Sequence, residues 1–251
     1  MLETCVNQGA GLQRIALQAG PRVIAMASHG DQQGELPLLW SLCSTLVDSG
    51  YPVVVLDATT SESTDNPGLE QMLDGVYWRN EEISAMMSWT VLPALRGLQT
   101  MEAIRSDHRM PLEPLGGLLE NFGVIVIYAR AELLVRLLPG SGIEPLLTVS
   151  PVKMSSVTAY QALKKMLLNA GLRPTVANIV LDPLTNTAMA SQLPVNNLQE
   201  CAMEFLGYRP DSLTIRARPS EGRATDDVSR LALRLLENAM PLHRHQFVGS
   251  H

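Results

Sequence analysis

Arg22-Val23-Ile24-Ala25-Met26-Ala27-Ser28, followed by His29-Gly30-Asp31-Gln32-Gln33-Gly34-Glu35-Leu36, is the stretch whose reading decides the fold. The first seven residues form an apolar run, which predicts a strand, and the next eight are mostly polar with two glycines, which predicts a loop. A helix is expected over 37–49, with Leu39, Leu42 and Leu46 on one face and Gly50 placed to end it in the left-handed conformation. Val53-Val54-Val55-Leu56 is then an uninterrupted apolar run ending at Asp57, the pattern of a parallel strand covered on both faces. This order puts 29–36 where a phosphate-binding loop sits in a nucleotide-binding α/β protein, and the register can be tested against G-x-x-x-x-G-K-[ST]. With Gly34 as the second glycine, His29 takes the first glycine position, Glu35 the lysine position and Leu36 the hydroxyl position. The architecture is present without its chemistry.

The rest of the chain extends the same alternation. Residues 59–68 are rich in Thr, Ser, Asp, Asn, Pro and Gly and read as a loop, 69–87 as helix with a break near Gly75, and 90–95 as a short strand. Helix is expected again over 98–104 and, as a short turn, over 115–120. Gly123-Val124-Ile125-Val126-Ile127-Tyr128-Ala129 is the clearest buried strand. Helix over 133–138, strand over 145–150, a helix capped by Ser156 and closed by Gly171, strand over 176–181, helix over 197–206 and strand over 213–217 follow. Thr225 is placed to cap a last helix with Val228, Leu231, Leu235 and Leu236 as its apolar face, suited to packing on a sheet. Strands alternating with helices predict an α/β fold with a mostly parallel sheet covered by helices on both faces. Near the N-terminus, 7–17 carries Leu12, Ile15 and Ala16 at helical spacing, and Gly20-Pro21 detaches this segment from the first strand.

Composition narrows the function. The chain has 251 residues, 46% of them hydrophobic, enough for one large core. A net charge of -6 provides no general footprint for nucleic acid, which needs a basic face to neutralise phosphates. Aromatic residues make up 4%, little material for base stacking. Cys5, Cys43 and Cys201 are odd in number and widely spaced, so neither a disulfide framework nor a zinc site is expected and a reducing cytoplasm fits. No run approaches the length needed to span a bilayer, and 1–20 lacks a basic leader followed by an apolar core, so any membrane association would be peripheral.

Four segments resemble a known family, the MinD/ParA-type deviant P-loop ATPases, and within it the FlhG (FleN) flagellar-number branch. Asn7-Gln8-Gly9-Ala10-Gly11-Leu12-Gln13 is similar to that branch's D-Q-A-x-G-L-R activator motif, with Asn7 for the acid and Arg14 one place beyond the arginine. The run 22–28 stands where the family's strand leads into K-G-G-x-G-K-T. Thr148-Val149-Ser150-Pro151 with Ser155, Ser156, Ala159 and Tyr160 looks like its T-P-E-P-T strand end and D-A-Y helix. Phe205-Leu206-Gly207 is similar to its FLG segment. The resemblance implies a P-loop NTPase-like, MinD-type fold over most of the chain. It also implies where chemistry is lost. The family's two loop lysines fall on Gly30 and Glu35, its magnesium-ligating hydroxyl on Leu36, and its V-D-T-G segment on Tyr128-Ala129-Arg130-Ala131, leaving Asp57 as the surviving carboxylate. A carboxylate at Glu35 would repel polyphosphate and a leucine cannot ligate magnesium, so neither ATP nor magnesium is expected to bind and hydrolysis is not expected.

The expected organisation is a docking segment over 1–20, a MinD-like domain over 21–240 and a flexible tail over 241–251 carrying His243, Arg244, His245 and His251. The resemblance implies a cytoplasmic regulator of flagellar number or placement, peripheral at the inner membrane or cell pole if it meets membrane. Its partner would be an FlhF-type GTPase or another polar assembly factor, touched by Asn7, Gln8, Leu12 and Arg14. A residual ATPase and an accessory protein of cellulose or exopolysaccharide secretion stay open as alternatives, as does homodimerisation, since the family's sandwich dimer depends on ATP. Within the degenerate site of His29, Gly30, Gly34, Glu35, Leu36 and Asp57, His29 is expected to be solvated. Glu35 is expected to cap the helix N-terminus and block anions there, and Asp57 to cap its following loop through backbone N–H groups. Ser61, Ser63 and His108 have no nucleophile elbow around them.

Overall fold

The computed structural model describes residues 20–75, 89–104, 111–152, 154–180, 188–216 and 226–242. In chain order these form β1 (Arg22–Ser28), α1 (Gln32–Asp48), β2 (Val53–Asp57), α2 (Leu69–Leu73), β3 (Thr90–Pro93), α3 (Leu95–Ala103), α4 (Leu115–Leu118) and β4 (Val124–Arg130). There follow α5 (Ala131–Leu137), β5 (Leu146–Val149), α6 (Ser155–Ala170), β6 (Thr175–Val180), α7 (Ala188–Leu206), β7 (Ser212–Arg216), α8 (Asp226–Glu237) and β8 (Met240–Pro241). The sheet runs β3-β2-β4-β1-β5-β6-β7 with every neighbouring pair parallel, and β8 adds an antiparallel bridge beside Arg22 and Val23.

The continuous apolar runs do what their composition dictates. Residues of β1, β2, β4 and β6 are buried almost throughout because helices cover both faces. One core cluster joins the inner residues of β1, β2 and β4 to Leu39, Leu42 and Leu46 of α1 and Val228, Leu231 and Leu235 of α8. The other lies on the opposite face, under α2, α3, α5, α6 and α7. Gly50 ends the first helix as its sequence implied: it sits at φ +88° and donates to Val47 O at 2.8 Å, while Tyr51 N reaches Leu46 O at 3.0 Å.

Several boundaries differ from expectation, and the first bears on the site. The helix expected to start at Pro37 starts at Gln32, because Asp31 caps it by accepting from Gly34 N at 3.3 Å. Pro37 lies inside this helix, where it cannot donate to the carbonyl of Gln33. Ser156 is not a cap: α6 begins at Ser155 behind Met154, which holds φ +74°, and no side chain caps it. Helix α7 begins at Ala188 rather than 197 and carries Pro194 inside it, held by burial of Val195 and Leu198. Pro241 and Leu242, expected in the tail, are held to the fold: Pro241 pairs with Arg22, and the buried Leu242 donates to Pro21 O at 2.9 Å. The expectations placed on Asn7, Gln8, Leu12, Arg14, His108, Thr225 and 243–251 lie outside the described residues.

Candidate functional site

Strand pairing brings the carboxyl ends of β1, β2, β4 and β5 to one edge. Ser28 lies beside Arg130, and Asp57 beside Tyr128. Crevices at this edge of an open α/β sheet are where ligands bind in such folds. The loop after β1, only His29 and Gly30 before the cap Asp31, crosses this edge. Gly30 holds φ +95°, a conformation that suits a residue without Cβ.

Glu35 fills the inside of that loop. Its side chain is fully buried, and its carboxylate accepts the N–H of His29 at 3.0 Å, the N–H of Asp31 at 3.0 Å and the hydroxyl of Tyr128 at 2.5 Å. Nε2 of His29 stands 3.5 Å from the same carboxylate. Backbone N–H groups converging at a helix start are an anion-binding arrangement, and here the anion belongs to the protein. Burial, and then the hydrogen bond it donates to Glu35, push the Tyr128 phenol well above its ordinary range.

Two further contacts tie the loop down. Asp31, also buried, accepts from the hydroxyls of Ser150 at 2.5 Å and Ser155 at 2.8 Å. The His29 ring is 3% exposed, which corrects the expectation of a solvated histidine. Its Nε2 faces the Thr148 carbonyl at 2.8 Å and donates to it, and Nδ1 lies 3.0 Å from the Thr158 hydroxyl. Gly34 is needed for space: a Cβ there would stand 3.1 Å from Ile179 Cδ1 and 3.3 Å from Ser150 Cβ. Leu36 is half-buried and packs against the α1 side of the core. Asp57 accepts from Thr59 N at 2.9 Å and from the hydroxyls of Thr59 at 2.6 Å and Thr60 at 2.7 Å, closing the turn that follows it.

Asp31, Thr148, Ser150, Ser155 and Thr158 were not among the residues singled out for the site. The first stands directly before the helix as it is observed, not as it was expected, and the others lie in or beside the segment quoted for its family resemblance. Among the described residues no group of three or more His, Cys, Asp or Glu could hold a metal, and no helix is long and apolar enough to cross a membrane.

No family model and no curated protein matches this chain. Solved structures do. MinD cell division protein of Aquifex aeolicus superposes with TM-score 0.56 at 14% identity over 88% of this chain and 99% of that chain. The chain has the MinD/ParA fold. A ParA family ATPase from Chlorobium tepidum matches at TM-score 0.51 and 14% identity over 85% of this chain and 99% of that one. Cobyrinic acid a,c-diamide synthase from Mycobacterium smegmatis, with bound ADP and magnesium, matches at TM-score 0.55 and 15% identity over 89% and 99%. One fold is thus shared by a cell division protein, a ParA family ATPase and a cobyrinic acid a,c-diamide synthase, so function has to be argued from the site.

Proposed function

We propose that this chain is a nucleotide-independent regulator of MinD/ParA fold that works by binding a protein partner, in the manner of an FlhG-type regulator of flagellar number or placement. The observation that carries the reading is the carboxylate of Glu35 in the amide nest of the loop. Polyphosphate would have to displace a buried anion held by two N–H groups and a phenol, and would find a leucine where magnesium is usually ligated. Binding sites on loops held by a rigid scaffold survive the loss of such chemistry. The relative seen as a MinC:MinD cell division protein complex of Aquifex aeolicus matches at TM-score 0.53 and 16% identity over 88% of this chain and 98% of that chain, and supports a protein partner as the thing to look for.

The contacting residues in this reading are Asn7, Gln8, Leu12 and Arg14, and the partner is an FlhF-type GTPase or another polar assembly factor. Pull-down by the full chain and by a chain lacking residues 1–20, each with and without magnesium-ATP, tests both halves. Capture that needs 1–20 and ignores nucleotide is expected. Capture undiminished by the truncation would sink the docking role, and capture that requires nucleotide would sink the independence.

A further inference from the structure

Beside the closed nest lies an open cleft. It has a volume of about 380 Å³ and is lined by Ser28 at the end of β1, His29 and Gly30 of the loop that follows, Thr59 after β2, Arg130 and Glu132 at the β4–α5 junction, and Thr158, Gln161 and Lys165 along α6. That volume lies in the range of small-molecule sites, and the position is the carboxyl edge of a parallel sheet. His29 lines the cleft and its ring stands 3.5 Å from the Glu35 carboxylate, which is not part of the lining.

The charges of the cleft are unevenly matched. Arg130 makes no ion pair among the described residues, and Gln161 makes no hydrogen bond there. Lys165 pairs with Glu132, but both are about half exposed, so the pair is weak and two ammonium hydrogens of Lys165 remain to be used. The hydroxyls of Thr59 and Thr158 already donate, to Asp57 and to the backbone at the start of α6. The donors left for a ligand are therefore a guanidinium, an ammonium and an amide, with the small apolar faces of Ala131 and Ala162 between them. This set suits a dianionic head on a small body: the guanidinium offers a planar fork of N–H groups and the ammonium a point charge.

The geometry points to this cleft as a binding site for a small phosphorylated molecule, held by Arg130 and Lys165 with Gln161, outside the nest that Glu35 fills. The inference goes beyond the partner-binding reading and does not depend on it.

Calorimetric titration of the full chain with ribose 5-phosphate, and separately with inorganic phosphate and with succinate, tests it. Saturable binding of ribose 5-phosphate is expected, weakened about tenfold or more by Arg130→Gln and by Lys165→Gln. Glu132→Gln removes the carboxylate that competes for Lys165 and should tighten binding. Arg136→Gln, which alters an exposed cation paired with Glu102, should leave it unchanged and so separates a local site from net charge. Inorganic phosphate binding as tightly as the sugar phosphate would keep the oxyanion head and remove the role of the cleft body. Tighter succinate binding would overturn the phosphate assignment. No saturable binding by any probe, or equal losses from Arg130→Gln and Arg136→Gln, would overturn the site itself. Circular dichroism of the variants keeps a folding defect from being read as lost binding, since all four side chains are solvent-facing.

Discussion

Glu35 and Glu62 are two carboxylates sealed from solvent, and both use their oxygens on backbone N–H groups, yet they sit in different parts of the fold. Glu62 accepts from Arg96 N at 2.8 Å, Gly97 N at 2.9 Å and Glu70 N at 3.3 Å, and so joins the starts of α3 and α2. Gly97 is required there, because a Cβ would stand 2.6 Å from Leu69 Cγ and 2.9 Å from Glu70 N. Among the described residues the hydrogen bonds to Glu62 come from backbone N–H groups alone. It is a clasp between helices. Glu35 adds to its two amides the Tyr128 hydroxyl and the nearby His29 ring, at the sheet edge where ligands of this fold class bind. A carboxylate filling an amide nest is thus a structural device in one place and, in the reading proposed above, a plug in the other.

The comparison can be broken at several points. Glu62→Ala leaves one buried and two part-buried N–H groups without their acceptor and should cost about 3 kcal/mol, read from urea unfolding. It should leave the β1–α1 loop untouched, which hydrogen exchange at His29 and Asp31 would report. Glu35→Ala strands two N–H groups and a phenol, and a loss of about 2 to 3 kcal/mol is expected. A loss below about 0.5 kcal/mol would mean that the carboxylate does not hold the loop. Tyr128→Phe removes one bond to a charged acceptor, for about 1.5 kcal/mol.

Tyr128 also carries a pH signature. Its folded-state phenol holds its proton more tightly than a solvated tyrosine does, through burial and the bond it donates to Glu35. The unfolded chain therefore releases that proton first as pH rises, and the stability contributed by Tyr128 is fully present below about pH 10 and declines above it. The Phe variant should flatten this alkaline limb, and an unchanged limb would show that other groups cause it. The smallest effect belongs to Asp57→Asn, which weakens an exposed turn held through Thr59 and Thr60 and should cost about 0.5 to 1 kcal/mol, read from thermal unfolding.

The scaffold was legible because parallel strands buried on both faces leave an unmistakable composition. Runs such as 53–56 and 123–129 can be placed without knowing their neighbours, and the stripe of Leu39, Leu42 and Leu46 reports its own burial. Boundaries were harder, since a cap outranks propensity: Asp31 starts α1 five residues before Pro37, and that shift turns half of an expected loop into the helix that carries Glu35. The replacement at the lysine position was visible in the residue type, whereas its consequence was not. Whether Glu35 points outward or into its own loop depends on Tyr128, 93 residues away, and His29 reads as solvated until Thr148 and Thr158 are placed around it. Glu62 left no local sign at all, because its acceptor role is set by amides 34 and 35 residues further on.

The central claim is that the phosphate loop is filled by the protein's own carboxylate and takes no nucleotide. Isothermal titration of magnesium-ATP into the full chain tests it most directly, with Arg130→Gln run in parallel so that heat from the neighbouring cleft is recognised. The account predicts no magnesium-dependent, saturable heat in either protein. Stoichiometric binding that requires magnesium and survives Arg130→Gln would contradict it.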